Sequence, residues 1–128
     1  MSMKMTDSLY GNKARLNTER YLNTTGLCME FFFWLERDPQ KNRPIINVLL
    51  VSEERVEVTI QSTAARGTIL TGWNKFQAEL PGGIFQVVIE GIRSNNGPSG
   101  ISIDDVLIRE CSLPGEEFSP NIQFRNLF

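Results

Sequence analysis

The chain has 128 residues, of which 41% are hydrophobic and 22% charged, with 2 cysteines and no histidine. This length predicts one domain with a real core, and the composition is typical of a globular domain rather than a disordered or membrane-spanning chain. The net charge is −2 and the basic residues are scattered, which argues against a nucleic-acid partner.

The first seven residues contain no continuous apolar region, so we expect no signal peptide in this chain. No apolar run approaches the roughly 18 residues that a membrane span needs. An extracellular location would therefore require this chain to be a piece of a longer precursor.

Strand patterns separated by turns account for most of the chain, and no segment predicts a helix. Residues 14–16 predict a short strand. In residues 28–36, successive side chains point to opposite faces of the predicted strand. One face carries only the apolar side chains Met29, Phe31, Phe33 and Leu35. The other face is aromatic in the middle and acidic at its ends, with Glu30, Phe32, Trp34 and Glu36. We therefore expect a central strand whose second face is partly covered.

Further strands are predicted at residues 45–51, 56–61, 73–80, 84–89 and 101–110, with turn-rich loops at 38–44 and 94–100. The strand at 45–51 is almost continuously apolar, whereas Val56, Val58 and Ile60 alternate with polar residues and indicate a half-exposed strand. About seven short strands with this spacing predict an all-β sandwich over residues 1–111. Residues 112–128 are typical of a linker that ends in an apolar segment.

The two cysteines, Cys28 and Cys111, fit one disulfide as well as two buried thiols, and their spacing does not decide between them. Without histidine, the chain excludes Ser-His-Asp and Cys-His catalysis and histidine-ligated zinc, and two cysteines cannot form a four-thiolate zinc site. No glycine-rich phosphate loop is present.

Carboxylates are the remaining candidates for chemistry, because some β-sandwich glycosidases use two acidic residues on neighbouring strands. The candidates are Glu30, Glu36, Glu90, Asp104 and Asp105. We favour the interpretation that they are solvated strand ends. In the adjacent pair Asp104 and Asp105, alternation sends one carboxylate toward the interior or a sheet edge. A hydrogen bond to a neighbouring loop is the favoured explanation, ahead of a hard cation such as calcium.

Trp34 and Trp73 could form a stacking platform for a sugar, but we expect them in the core, where the aromatics of a small sandwich usually lie. Asn23, Thr24 and Thr25 form an N-glycosylation sequon just before Cys28, with Asn23 as the acceptor. The sequon favours secretion if a disulfide is also present.

Several segments resemble one known family. Residues 28–35 (Cys-Met-Glu-Phe-Phe-Phe-Trp-Leu) are similar to its Cys-Leu-x-Phe-x-Tyr strand, and residues 11–16 to its Gly-x-x-Ala-x-Leu approach. Trp73, Phe76 and Ala78 resemble its tryptophan strand. Residues 85–93 (Phe-Gln-Val-Val-Ile-Glu-Gly-Ile-Arg) resemble its Phe-Gln-Val-x-Phe-Glu-Gly-x-Arg string, and residues 101–106 its Ile-Ala-Ile-Asp-Asp-Ile string. Five motifs in this order resemble the MAM domain (meprin, A5, receptor phosphatase mu).

The resemblance implies a jelly-roll β-sandwich of two antiparallel sheets, with Cys28 bridged to Cys111. It also implies an extracellular, non-enzymatic module of a secreted or membrane-anchored receptor, adhesion or matrix protein. Its partner would be a protein, through adhesion, homophilic association or oligomerisation. The runner-up is a carbohydrate-binding sandwich. No cofactor is required, but Asp104 and Asp105 are candidate ligands for a structural calcium or sodium ion.

Two features of the family are missing from this sequence: its first Cys-x-Phe-Glu strand and its second cysteine pair. We therefore expect the domain at residues 1–111 to be incomplete at its N-terminus, with one sheet edge uncovered. An open edge invites pairing with another chain. The apolar segment at residues 121–128 is the candidate to cover it.

Overall fold

The computed structural model describes residues 3–6, 13–35, 44–65, 72–92, 100–111 and 125–126. A 3-10 turn, Thr63–Ala65, interrupts a series of strands. In chain order the strands are β1 Met3–Thr6, β2 Lys13–Thr18, β3 Leu22–Asn23, β4 Leu27–Leu35, β5 Ile45–Ser52, β6 Glu57–Ser62, β7 Asn74–Glu79, β8 Ile84–Ile92, β9 Ile101–Glu110 and β10 Arg125–Asn126. The described residues include no helix of the length and hydrophobicity that crossing a membrane requires.

The strands form two antiparallel sheets. Sheet A has the order β1-β2-β8-β5-β6, with β3 also paired to β8, and sheet B has the order β10-β9-β4-β7. Between β4 and β9 the chain crosses repeatedly from one sheet to the other, so that strands distant in sequence become neighbours. The predicted fold class, a jelly-roll β-sandwich of two antiparallel sheets, is confirmed.

The core lies between the inner faces of the two sheets, and β4 shows how alternation builds it. Met29, Phe31 and Phe33 are at most 2% exposed, whereas the residues between them face outward, as predicted. The Phe31 ring stacks on Phe76 of β7 with centroids 4.6 Å apart. The other core side chains come from both sheets: Ala14, Leu16, Leu35, Ile46, Val48, Leu50, Leu80, Val87, Ile89, Ile101, Ile103, Val106 and Ile108.

A β-bulge divides β9 into two halves. Phe32 pairs with Asp104 but Glu30 pairs with Leu107, so that Phe31 lies opposite two residues of β9, Asp105 and Val106. Asp105 takes the left-handed conformation, with φ of 55°. One extra residue on one strand shifts the side-chain alternation by one position. Ile101 and Ile103 before the bulge and Val106 and Ile108 after it therefore all face the core.

A disulfide joins Cys28 on β4 to Cys111 just beyond β9, with Cα atoms 4.9 Å apart and a sequence separation of 83. The Cys111 amide also donates a hydrogen bond to the Gly26 carbonyl, at 2.8 Å. The cross-link restricts the unfolded chain, and closing a loop of this length stabilises the fold by about 4–5 kcal/mol in the chain-entropy model.

An ion-pair network spans the outer face of sheet A. The guanidinium of Arg15 on β2 donates to both carboxylate oxygens of Glu57 on β6, at 2.8 and 2.9 Å, and to Glu90 on β8 at 2.8 Å. The register places Leu49 and Val88 side by side on the strands between β2 and β6, and both side chains are buried. The network therefore holds the edge strand β6 against the rest of its sheet.

The sheet edges bear on the expectation of an incomplete domain. In sheet A, β1 pairs with β2, and in sheet B, β10 of the predicted covering segment pairs with Ser102 and Ile103 of β9. The incompleteness and the covering role of the tail stay predictions. The predicted loops at 38–44 and 94–100 lie almost wholly outside the described residues.

Candidate functional site

The outer face of sheet B presents ordered rows of side chains from three strands. The register of β7, β4 and β9 places Glu79, Cys28 and Arg109 in one row and Gln77, Glu30 and Leu107 in the next. The third row holds Lys75, Phe32 and Asp104, and Trp34 then pairs with Ser102. Because residues directly opposite each other in antiparallel strands share a face, these side chains form one continuous surface. The inner faces of the same strands carry the core, which holds this surface rigid.

Two tryptophans mark one end of this surface. Trp34 is 39% exposed and Trp73 is 43% exposed, and their rings meet edge to face with centroids 5.8 Å apart and an interplanar angle of 84°. The expectation that both lie in the core is therefore wrong: alternation along β4 turns Trp34 away from the core that Phe33 enters. We call Phe32, Trp34 and Trp73 the aromatic patch.

Polar contacts fix the middle of the surface. The Lys75 ammonium lies 5.9 Å from the centre of the Phe32 ring and 3.5 Å from a carboxylate oxygen of Glu30. The Gln77 amide donates to the same oxygen of Glu30 at 3.2 Å. These exposed contacts are individually weak, but together they limit the conformations of the side chains beside the aromatic patch.

A groove of about 360 Å³ lies at the other end of the surface, beside the disulfide. Its lining includes Glu30, Gln77, Glu79, Leu107 and Arg109. This volume is at the lower end of the roughly 300–1,000 Å³ usual for small-molecule sites, which are mostly apolar. A groove this small, whose lining also includes apolar side chains such as Met29 and Ala78, suits one or two side chains of a protein partner.

Asp104 and Asp105 lie at the β9 bulge. The expectation that alternation sends one of them toward the interior or an edge is wrong, because the bulge inserts Asp105 and leaves both side chains half-exposed. The Asp104 carboxylate accepts a hydrogen bond from the Asp105 amide at 2.8 Å. Among the described residues, the partner is thus the adjacent backbone. A hydrogen bond to a neighbouring loop stays a prediction.

Loss of solvent around Asp105 and the negative charge of Asp104 together raise the pKa of the Asp105 carboxyl above its ordinary value of 3.8. A carboxyl whose pKa is higher in the folded state than in the unfolded state lowers stability once it ionises. This cost is absent below pH 3.8 and develops as the pH rises through the folded-state pKa.

The described residues give a limited set of ligands for a cation. Among them, no group of three or more carboxylates, cysteines or histidines lies close enough together to hold a metal ion. Calcium takes six to eight oxygen ligands, so Asp104 and Asp105 alone do not fit a calcium cage. A cation at this pair stays a prediction.

Of the other candidate carboxylates, the two among the described residues do not converge. Glu30 lies on the outer face of sheet B, bonded to Lys75 and Gln77, whereas Glu90 lies on sheet A, 5% exposed and paired with Arg15. Glu36 lies outside the described residues. The arrangement of Glu30 and Glu90 therefore does not resemble the facing pair that glycoside hydrolysis uses.

Asn23 lies on the surface at the end of β3. Its side-chain oxygen accepts a hydrogen bond from the Thr25 amide at 3.1 Å, whereas Thr24 between them is buried and its hydroxyl donates to the Pro81 carbonyl. The acceptor asparagine is therefore accessible on a fixed turn. Its glycosylation stays a prediction.

Replacing Asp105 by asparagine should raise the melting temperature at pH 7, because asparagine tolerates positive φ and removes the repulsion from Asp104. The gain should shrink as the pH falls and vanish below 3.8, where the Asp105 carboxyl is protonated in both the folded and the unfolded state. Thermal unfolding followed by circular dichroism between pH 3 and pH 8 measures this difference.

The matched variant Asp105→Ala also removes the charge, but alanine in this conformation costs about 1–2 kcal/mol. We expect it to be less stable than Asp105→Asn at every pH. A gain for Asp105→Asn that does not depend on pH would contradict the role given to charge.

Comparisons with known proteins agree with this fold. Residues 1–112 match the family model described as "MAM domain, meprin/A5/mu". The chain is 26% identical over 113 residues to MAM domain-containing glycosylphosphatidylinositol anchor protein 1 of Rattus norvegicus, Mus musculus and Gallus gallus. The match covers 87% of this chain and 12% of each relative. MAM domains are generally extracellular modules of adhesion and protein interaction. The chain belongs to the MAM domain family.

Proposed function

We propose that this domain is a non-catalytic adhesion module, which binds a partner protein through the aromatic patch on sheet B. The observation that carries the proposal is the exposure of Trp34 and Trp73 on the outer face of a sheet whose inner face is the core. Exposed tryptophans on a rigid surface are typical of the few residues that dominate the affinity of a protein interface.

The surroundings of the patch favour a partner that carries basic groups. Asp104 lies directly opposite Phe32, and Asp105 follows it at the bulge. Lys75 beside Phe32 already contacts Glu30. An arginine of the partner could stack on a tryptophan face while it pairs with the aspartates, which combines two contacts that protein interfaces commonly use.

The proposal extends to the larger protein of which the domain is a part. The domain would act extracellularly in a secreted or membrane-anchored receptor or matrix protein and mediate homophilic association or oligomerisation. The relatives are named as glycosylphosphatidylinositol anchor proteins, which supports an extracellular setting. The chain spans only 12% of their length, so anchoring and assembly of the whole protein are inferred from the family.

Carbohydrate binding is the second candidate, and the exposed tryptophan pair is the observation that favours it. Sugar rings stack on flat aromatic faces, but the two rings here stand at 84° to each other and offer no common plane. Protein binding is therefore the better supported function. Binding to a glycan array that is lost in Trp34→Ala or Trp73→Ala would reverse this order.

Beads coated with this chain should aggregate, and Trp34→Ala or Trp73→Ala should weaken the aggregation by about tenfold or more, as expected for interface hot spots. Aggregation is measured by light scattering against bead density. Ile84→Ala is the matched control, because Ile84 is 45% exposed but lies on sheet A. Unchanged aggregation by a folded tryptophan variant would refute the role of the patch.

Peptide mapping of the non-reduced protein, secreted from a eukaryotic cell, tests the extracellular setting. We expect a cross-linked peptide that contains Cys28 and Cys111, and a glycan on Asn23. Asn23→Gln and Thr25→Ala should each remove the glycan, since both destroy the sequon. Free thiols in the secreted protein would contradict the proposed setting.

We also propose a structural calcium or sodium ion at Asp104 and Asp105. The like charges of the pair, which a cation would offset, support this proposal. Ca²⁺ should then raise the melting temperature of the native chain but not that of Asp104→Asn. A Na⁺ titration at constant ionic strength distinguishes the two ions, and equal shifts in both proteins would contradict a site.

A further inference from the structure

Among the described residues, β6 is the last strand of sheet A and no strand pairs with its outer edge. Val56, just before β6, and Val58 within it remain 59% and 52% exposed. An exposed edge strand with apolar side chains is a template for pairing with another strand. β7, at the end of sheet B, differs because its exposed positions are polar or charged, including Lys75 and Glu79.

The register with β5 shows which backbone groups of β6 are available. The Ser52 amide donates to the Val56 carbonyl at 3.0 Å, and Val58 lies opposite Leu50. Successive residues of a strand direct their N–H and C=O groups to alternate sides. Val56 and Val58 therefore bond toward β5, and the backbone groups of Glu57 and Thr59 point to the open edge.

We infer that two copies of this domain pair through β6 about a two-fold axis at Val58, extending sheet A across both molecules. In this register Glu57 and Thr59 of one copy exchange backbone hydrogen bonds with Thr59 and Glu57 of the other. Val58 faces its own counterpart, and Val56 faces Ile60. The inference concerns side-by-side pairing of two copies, apart from the adhesive contact of the aromatic patch that the bead experiment tests, and it rests on the oligomerisation named in the proposed function.

The side chains support a second copy as the occupant. Val58 lies opposite Leu50 and shares its inner face, and Ile60, which a β-bulge leaves without a partner on β5, packs against the core. Pairing joins these side chains and Val56 with the same row of the other copy. On the outer side, each Glu57 meets Thr59 of the other copy and not a second carboxylate. An isologous contact requires this self-complementarity.

The only charged side chain within β6 is also drawn away from the edge. Charged residues on an edge strand usually discourage pairing. Both oxygens of Glu57 are bonded to Arg15, whose own strand lies three strands away across the outer face. The carboxylate therefore lies over its own sheet and does not block an approaching strand.

Single cysteines test the register directly. Across the axis, Val58 and its counterpart form a non-hydrogen-bonded pair with Cα atoms about 4.5 Å apart, within the range of a disulfide. Val58→Cys should therefore form a covalent dimer under mild oxidation. Val56→Cys is the matched control, because its counterpart lies about 14 Å away, four residues along the strand.

Thr59→Pro should disrupt pairing through the β6 edge and leave the fold intact. Its amide points outward, so proline removes a donor of the dimer without breaking the ladder to β5. Sedimentation velocity should show a concentration-dependent dimer of the native chain, which Thr59→Pro loses and Trp34→Ala retains. Circular dichroism and the retained Cys28–Cys111 bridge verify that each variant is folded.

Equal cross-linking by Val56→Cys and Val58→Cys would overturn the register. A dimer that survives Thr59→Pro but is lost in Trp34→Ala would overturn the edge and leave the proposed self-association in place. A monomer at every concentration would overturn both the edge and the proposed oligomerisation. Adhesion through the aromatic patch would then stand or fall by the bead experiment alone.

Discussion

The bulge at Asp105 determines how β9 serves both faces of sheet B. A strand without it would turn either Ile101 and Ile103 or Val106 and Ile108 away from the core. The bulge resolves this conflict by placing one residue in a left-handed conformation and holding its amide with the preceding aspartate.

Two independent surfaces follow from the way the sheets are built. The aromatic patch is a face, which sheet B offers because its other face is filled by the core. The β6 edge belongs to sheet A and uses backbone groups in addition to side chains. Because they lie on different sheets, a contact at one does not require the other. On a membrane, weak pairing of two copies through the β6 edge would bring two aromatic patches together. The pair would then bind a partner surface more tightly, although neither patch gains a new contact.

Alternation was sufficient to predict much of this fold from the sequence. The inward set on β4 and the strand at residues 101–110 follow from side-chain periodicity alone. Alternation failed to place Asp104 and Asp105, because a bulge shifts the two-residue period of the side chains. Nothing in the sequence marks the bulge except an aspartate in a strand. Trp34 was misplaced for another reason: the pattern put it on the outer face, but its size and hydrophobicity suggested burial. The contact of Arg15 with Glu57 joins strands that are not neighbours, and no local pattern carries such information.

The disulfide also determines how the domain would carry mechanical tension. A pull on the chain beyond Cys111 passes through a covalent bond into β4, which lies between β9 and β7. The hydrogen bonds of β9 are therefore bypassed, and the strand cannot be peeled from the sheet one pair at a time from that end. Tension applied at β1 meets no such bond among the described residues and acts on the ladder to β2. The two ends of the domain would thus yield to force by different routes, one by shearing the sandwich and the other by unzipping its edge.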